Sequence, residues 1–436
     1  MTSQEVKIRN VYFRAMNIHF DPVSWSMNTN IYEVNLRQYF PESTFQSFIK
    51  ELPRLADMGI KILWFMPIMP ISHKMRQGKL GSYYACSTYT DTNPEYGTVS
   101  DFKDIVKIAH DNGLKVIIDW VANHTGWDHE WTRTNPGFYK KNANGEFYDG
   151  NGWADVIDLN FYDQAMRKEM ISAMEFWIKE CDIDGFRCDM AHLVPFDFWR
   201  DARRQLETFK PLFWLAETED DNYQYVFDCS YAWKFMHLSE NIVKQQAGVD
   251  ELRLLLSVYL KKRLPYTNHL FFTSNHDENS WNGTEYEKYG PAALCFAVFT
   301  CTWNGLTLVY NGQELPNHKR LAFFDKDPIQ WTGKYELHDF YKKLLCLRSA
   351  FGEEPTEIIT LDTKGDRHIF TFLKISRFKQ ILVILNFSGV QQTAHIENSL
   401  VNGTYRDLFT DTNKEAPSIQ NILMEPWSYL VLEKLT

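Results

Sequence analysis

A chain of 436 residues is longer than a single hydrophobic core usually organises, so one large domain with one or two smaller ones is expected. Apolar residues make up 44% of it, enough to bury a sizeable core. The formal net charge is -10 and no long basic run occurs, which excludes an electrostatic nucleic-acid footprint and argues against an anionic membrane surface.

Seven cysteines occur, an odd number with no CxxC pair. They read as buried free thiols in a reducing compartment. The start, MTSQEVKIRNVYF, has no apolar signal region, and no apolar stretch is long enough to span a bilayer. A cytoplasmic location and the absence of a membrane partner are the expectations.

Eight short apolar runs suit strands buried on both faces, as in a parallel sheet. In chain order they are residues 11–16, 60–66, 114–119, 183–189, 213–217, 225–229, 269–274 and 306–310. Helical spacing fills the intervals. Phe45, Phe48, Leu52, Leu55 and Met58 form one apolar face, closed by Gly59. Ser100 can cap a second helix that ends at Gly113, and Asp163 can cap a third over residues 164–179. Eight strand–helix units with right-handed crossovers close into a (β/α)₈ TIM barrel.

Two regions break the rhythm. Residues 123–160 are rich in Asn, Gly, Trp and Asp, lack helical period, and are too long for an ordinary loop, so they form an inserted domain. After a last helix around 336–349 the period becomes two, which predicts an antiparallel β-sandwich domain over 350–436. The barrel is then expected to use residues 1–122 and 161–349.

Four expected strands lead into a carboxylate: Asp119, Asp189, Glu217 and Asp277. Singly, each reads equally well as a turn residue or a helix cap. Together they mark a site, because parallel barrel strands share one C-terminal rim. Arg187 lies two residues before Asp189, so both side chains face the same way, and the guanidinium favours an ionised carboxylate. Glu217 follows Phe-Trp-Leu-Ala, an apolar surround that suits a proton donor. Asn123, His124, Asn275 and His276 add polar groups to the same rim. No Walker A loop, GxGxxG, HExxH or GxSxG occurs, and no organic cofactor is implied. An acidic barrel mouth of this kind suits glycoside chemistry, which needs two carboxylates and a polar clamp on sugar hydroxyls.

On these residues the chain resembles the alpha-amylase family of glycoside hydrolases over nearly its whole length. Asp119-Trp-Val-Ala-Asn123-His124 is similar to the family's DxxxNH motif, and Gly185-Phe-Arg187-Cys-Asp189 to its GFRxD motif. Glu217 matches the acid of the fifth strand, and Asn275-His276-Asp277 the NHD of the seventh. Val156-Ile-Asp158-Leu-Asn160 resembles the motif that closes the inserted domain.

The resemblance implies Asp189 as nucleophile, Glu217 as acid/base, and Asp277 as a third carboxylate on the sugar hydroxyls. It implies Tyr84 as a platform under the sugar ring, His124 and His276 as hydroxyl ligands, and Arg187 orienting Asp189. Asn123 and Asp158 would be ligands of a structural calcium ion. One departure follows Asp189: where many members carry D-x-x-K-H, this chain reads Asp189-Met190-Ala191-His192-Leu193, so His192 takes the Lys position as a substrate-binding residue.

The function implied is retaining hydrolysis of α-1,4-glucosidic bonds in starch or maltooligosaccharides. An α-glucan transglycosylase, a cyclodextrin- or disaccharide-specific hydrolase of the same fold, and a non-catalytic carbohydrate-binding protein are the alternatives.

Overall fold

The structure is a computed structural model, and it describes residues 20–435 except 263, 265–266 and 364–366. Eight parallel strands close into a barrel: β1 (Asn30–Val34), β2 (Ile62–Phe65), β3 (Lys115–Trp120), β4 (Gly185–Cys188), β5 (Phe213–Ala216), β6 (Cys229–Tyr231), β7 (Asn268–Phe271) and β8 (Leu306–Tyr310). Each strand pairs with its chain neighbours, and β8 closes on β1. Nearly every strand residue is buried, because helices cover the outside while side chains fill the inside. Ile31, Ile62, Trp64, Ile117, Phe213, Leu215, Leu270 and Leu308 belong to that interior filling.

The first strand differs from the sequence expectation. Residues 11–16 lie outside the described residues, and the barrel closes with Asn30–Val34 in first place. That strand reads NIYEV; its buried Asn30 and Glu33 interrupt the apolar run and hide the strand from a hydrophobicity reading. The sixth strand also shifts. Asp221–Tyr225 is a 3₁₀ turn, and the strand begins at Cys229.

Helix starts follow local chemistry. Thr98, rather than Ser100, caps Val99–Asp111 through a reciprocal capping box with Asp101. Asp163 caps Gln164–Cys181 as expected, accepting the backbone N–H groups of Ala165 and Met166. The helical face at residues 45–57 is broken into Phe45–Phe48 and Leu52–Asp57 by a 3₁₀ turn over Ile49–Glu51.

Gly185 is required where β4 meets β5. A Cβ there would stand 2.0 Å from the Phe213 carbonyl oxygen, so only glycine lets these two strands approach. They are the strands that lead into Asp189 and Glu217.

The insertion contributes a two-stranded antiparallel pair, His124–Gly126 with Val156–Asp158, in which His124 faces Asp158. Beyond helix His338–Ser349, six strands form an antiparallel sheet and Gln392–His395 pairs with Asn421–Met424 in a second, small sheet. Ile369, Leu382, Ile384, Ala394, Ile396 and Leu432 share one apolar cluster across the two sheets. The other face of the large sheet packs on helix Ala293–Thr302, with Phe296 and Phe387 stacked at 4.5 Å. Nine of that helix's ten residues are buried, because it is covered by barrel and sheet alike.

Candidate active site

The C-terminal rim of the barrel holds a cavity of about 350 Å³. Tyr84, His124, Asp189, Glu217 and Asp277 line it. Arg187 lies beneath it, fully buried, on β4. One guanidinium ties the carboxylates together: Nη1 donates to Asp119 Oδ1 and to Asp189 Oδ1, each at 2.9 Å, and Nη2 stands 2.9 Å from Glu217 Oε1. Register explains the convergence, since Asp119 pairs with Arg187 across β3 and β4. Met190 takes a left-handed backbone (φ 38°) directly after Asp189, and its N–H donates to Glu217 Oε2 at 2.8 Å. The turn after one carboxylate thus holds the other.

Burial dominates the ionisation. It pushes Asp189 up to about 6, although Arg187 pulls in the opposite direction. It pushes Glu217 up to about 7 against the same guanidinium, with Asp189 and Asp277 adding to the rise. The expected order holds, with Glu217 above Asp189, but Arg187 restrains the Asp189 carboxyl without bringing it to the usual range. Asp119, buried below the floor, rises to about 6 by the same cause.

A second network runs from His276. Its Nδ1 donates to Glu33 Oε1 at 2.5 Å, and its Nε2 stands 2.7 Å from the Tyr84 hydroxyl and 3.3 Å from Asp277 Oδ2. The Tyr84 hydroxyl donates in turn to Asp119 Oδ2 at 3.1 Å. Burial disfavours the imidazolium, but Asp277 and Glu33 outweigh it and hold His276 well above its ordinary pKa. Desolvation raises Asp277, and the His276 charge reverses this to a net lowering. Asp277 is therefore the carboxylate that stays ionised most readily. His124 behaves oppositely: burial pushes it down to about 4, so it enters the cavity wall neutral.

The sequence did not flag Glu33 or the aromatic wall. Trp153, Trp281, Phe323 and Phe324 also line the cavity. Phe323 lies nearly parallel to Tyr84 (14°, 6.3 Å), Tyr84 to His276 (23°, 5.5 Å), and Trp281 leans on Phe323 at 5.4 Å. Glu33 carried one visible signal, a charge inside a short apolar run; the aromatic residues carried none beyond their type. Tyr83, beside Tyr84, is a core residue with Arg37 over its ring. His192 is exposed in the turn Ala191–Leu193 and is not among the residues that line the cavity.

The expected calcium ligands come close together but are engaged otherwise. The Asn123 side-chain amide faces His124 Nδ1 at 3.3 Å. Asp158 Oδ2 accepts from Lys140 Nζ at 2.9 Å and from the Gly150 N–H at 3.3 Å. Calcium takes six to eight oxygen ligands, and a protonated amine on the central carboxylate does not fit that donor set. Among the described residues no three acidic, His or Cys side chains group as a metal site, and no helix is long and apolar enough to cross a membrane.

Residues 28–327 match the model of the alpha amylase catalytic domain. Alpha-amylase 3 of Dictyoglomus thermophilum is 23% identical, over 95% of this chain and 95% of its own length. A cyclomaltodextrinase of Thermoanaerobacter pseudethanolicus is 24% identical, over 80% of this chain and 64% of its own. Among solved structures, a noncanonic maltogenic alpha-amylase from Thermotoga neapolitana superposes with a TM-score of 0.87 at 27% identity, covering 95% of this chain and all of its own. The barrel, the carboxylates on its rim and these matches agree: the chain belongs to the alpha-amylase family of glycoside hydrolases.

Proposed function

We propose that the enzyme cleaves α-1,4-glucosidic bonds of starch-type glucans and maltooligosaccharides with retention of configuration. One observation carries the reading: Asp189 and Glu217 sit on neighbouring strands and touch the two terminal nitrogens of a single guanidinium. Such clamping favours the separation of about 5–5.5 Å that retaining enzymes use, rather than the roughly 6.5–9.5 Å that leaves room for an inverting water.

Asp189, the more acidic of the two, attacks the anomeric carbon. Glu217, with a pKa near 7, delivers its proton to the departing glycosidic oxygen. The glycosyl-enzyme ester is then hydrolysed by a water that Glu217 deprotonates, which restores both groups. Asp277, held ionised by His276, accepts hydrogen bonds from the sugar hydroxyls, and neutral His124 binds another. Arg187 orients Asp189. Proton NMR of the first product from maltooligosaccharide tests the mechanism: the α-anomer is expected, and an initial β-anomer overturns both assigned roles.

Tyr84 is the platform for the sugar ring in this reading, stacked between His276 and Phe323. Tyr84→Ala is expected to lower kcat/KM on maltooligosaccharides by about 0.5–1.5 kcal/mol, the scale of a lost aromatic contact. Unchanged kinetics removes the assignment. The relatives include a cyclomaltodextrinase, so the products formed from cyclodextrin and from linear maltodextrin are compared side by side by chromatography. All seven cysteines are unbridged and six are buried, which supports a cytoplasmic location.

A further inference from the structure

We propose that the Lys140 ammonium, in place of a metal ion, is the cation that fastens the inserted segment to the barrel. The inference is independent of the roles given to Asp189 and Glu217.

The inserted segment leaves the barrel after β3 and returns through Val156–Asp158; Ala122, Ile157 and Leu159 anchor this neck in the main apolar core, so a charge placed among them is largely shielded from water. Asp158 stands at its centre. It faces His124 across the strand pair, and Leu159 donates its N–H to the Asn123 carbonyl at 3.0 Å. Asp149 and Asp155 also lower the local potential enough to count among the influences on His124. A buried carboxylate in acidic company needs a compensating cation.

Lys140 supplies it. The backbone N–H of Lys140 donates to the Asp158 carbonyl at 3.0 Å, and its Nζ reaches Asp158 Oδ2 at 2.9 Å. The same residue is thus bonded twice to Asp158, and the neighbouring Tyr139 bridges to Leu159. The Asp158 side chain is 3% exposed, whereas that of Lys140 is 40% exposed, so the ammonium comes from the solvent side and closes the site. Asp158 Oδ1 is buried without a hydrogen-bond partner. A calcium ion drawn to that oxygen would stand against the ammonium already bonded to Oδ2, so the two cations exclude one another. His124, paired with Asp158 across the two strands, lines the cavity next to this neck.

The test is thermal melting of the full-length protein in EDTA and in calcium chloride, with metal content measured on the same sample. The expected results are one melting temperature in both solutions, no stoichiometric metal, a Lys140→Met variant that melts several degrees lower, and a Lys140→Arg variant that stays near the parent. If Lys140→Met vacates a cation site, added calcium raises its melting temperature but not that of the parent, a difference that a merely packing role for Lys140 would not produce. A parent protein that EDTA destabilises, or a Lys140→Met variant that melts with the parent, overturns the proposal.

Discussion

Asp189→Asn should abolish nearly all turnover while the protein keeps its fold. The substitution preserves volume, and Arg187 keeps Asp119 and Glu217 as partners at 2.9 Å, so little packing is lost. The covalent route loses its nucleophile outright. Glu217→Gln removes proton transfer instead, and general acid–base assistance is worth roughly 10²–10⁴-fold.

The two variants separate in their pH profiles. In the parent, activity needs Asp189 ionised and Glu217 protonated, with groups pushed up to about 6 and about 7. The rate should therefore rise as Asp189 ionises and fall as Glu217 does, giving a narrow bell between them; the limbs belong to the interacting pair rather than to either residue alone. Glu217→Gln should lose the alkaline limb. Steady-state rates on maltooligosaccharide across pH 4–9 measure this, and an alkaline limb that survives Glu217→Gln removes Glu217 as the acid.

Arg187→Met should have the second largest effect, on stability and activity together. The guanidinium is fully buried among Asp119, Asp189 and Glu217, so its loss leaves three carboxyls facing one another without the cation that touches all of them. Breaking a buried ion pair from one side costs about 3–5 kcal/mol. The loss depends on pH in a definite direction. These carboxyls already titrate above their unfolded values, and without Arg187 they rise further. The folded state then holds protons that the unfolded state has released. Its stability is preserved below the unfolded carboxyl pKa, near pH 4, and declines as pH climbs through the raised folded values. Urea unfolding at pH 5 and pH 8 should show a larger deficit at pH 8. An equal deficit at both values would mean that packing of the Arg187 stem, rather than its charge, holds the site.

Much of this site is legible in the chain because its signals are local. Runs such as VII before Asp119 and FWLA before Glu217 are apolar because their strands are buried on both faces, and the carboxylate follows where the strand meets the rim. Asp163 is legible for the same reason, because it acts on the backbone N–H groups of Ala165 and Met166 in its own first turn, whereas the need for Gly185 comes from Phe213 on the next strand. The first strand fails this test. Glu33 sits inside it because a partner 243 residues away, His276, compensates its burial, and no window of sequence contains both.

The amino-acid sequence by itself determined most of the alternating architecture, the place of the insertion, and three carboxylates that reach one rim, Asp189, Glu217 and Asp277, since hydrophobic period and strand-end position are properties of neighbouring residues; Asp119, expected with them, lies below the cavity floor. Only the tertiary structure decided which charges meet. It placed Arg187 among three carboxyls, set His276 between Glu33 and Asp277, and brought Lys140 to Asp158. It also decided the ionisation of Asp189, where burial outweighed the neighbouring guanidinium. Desolvation and charge pairing are fixed by distance through space, and spacing along the chain does not carry them.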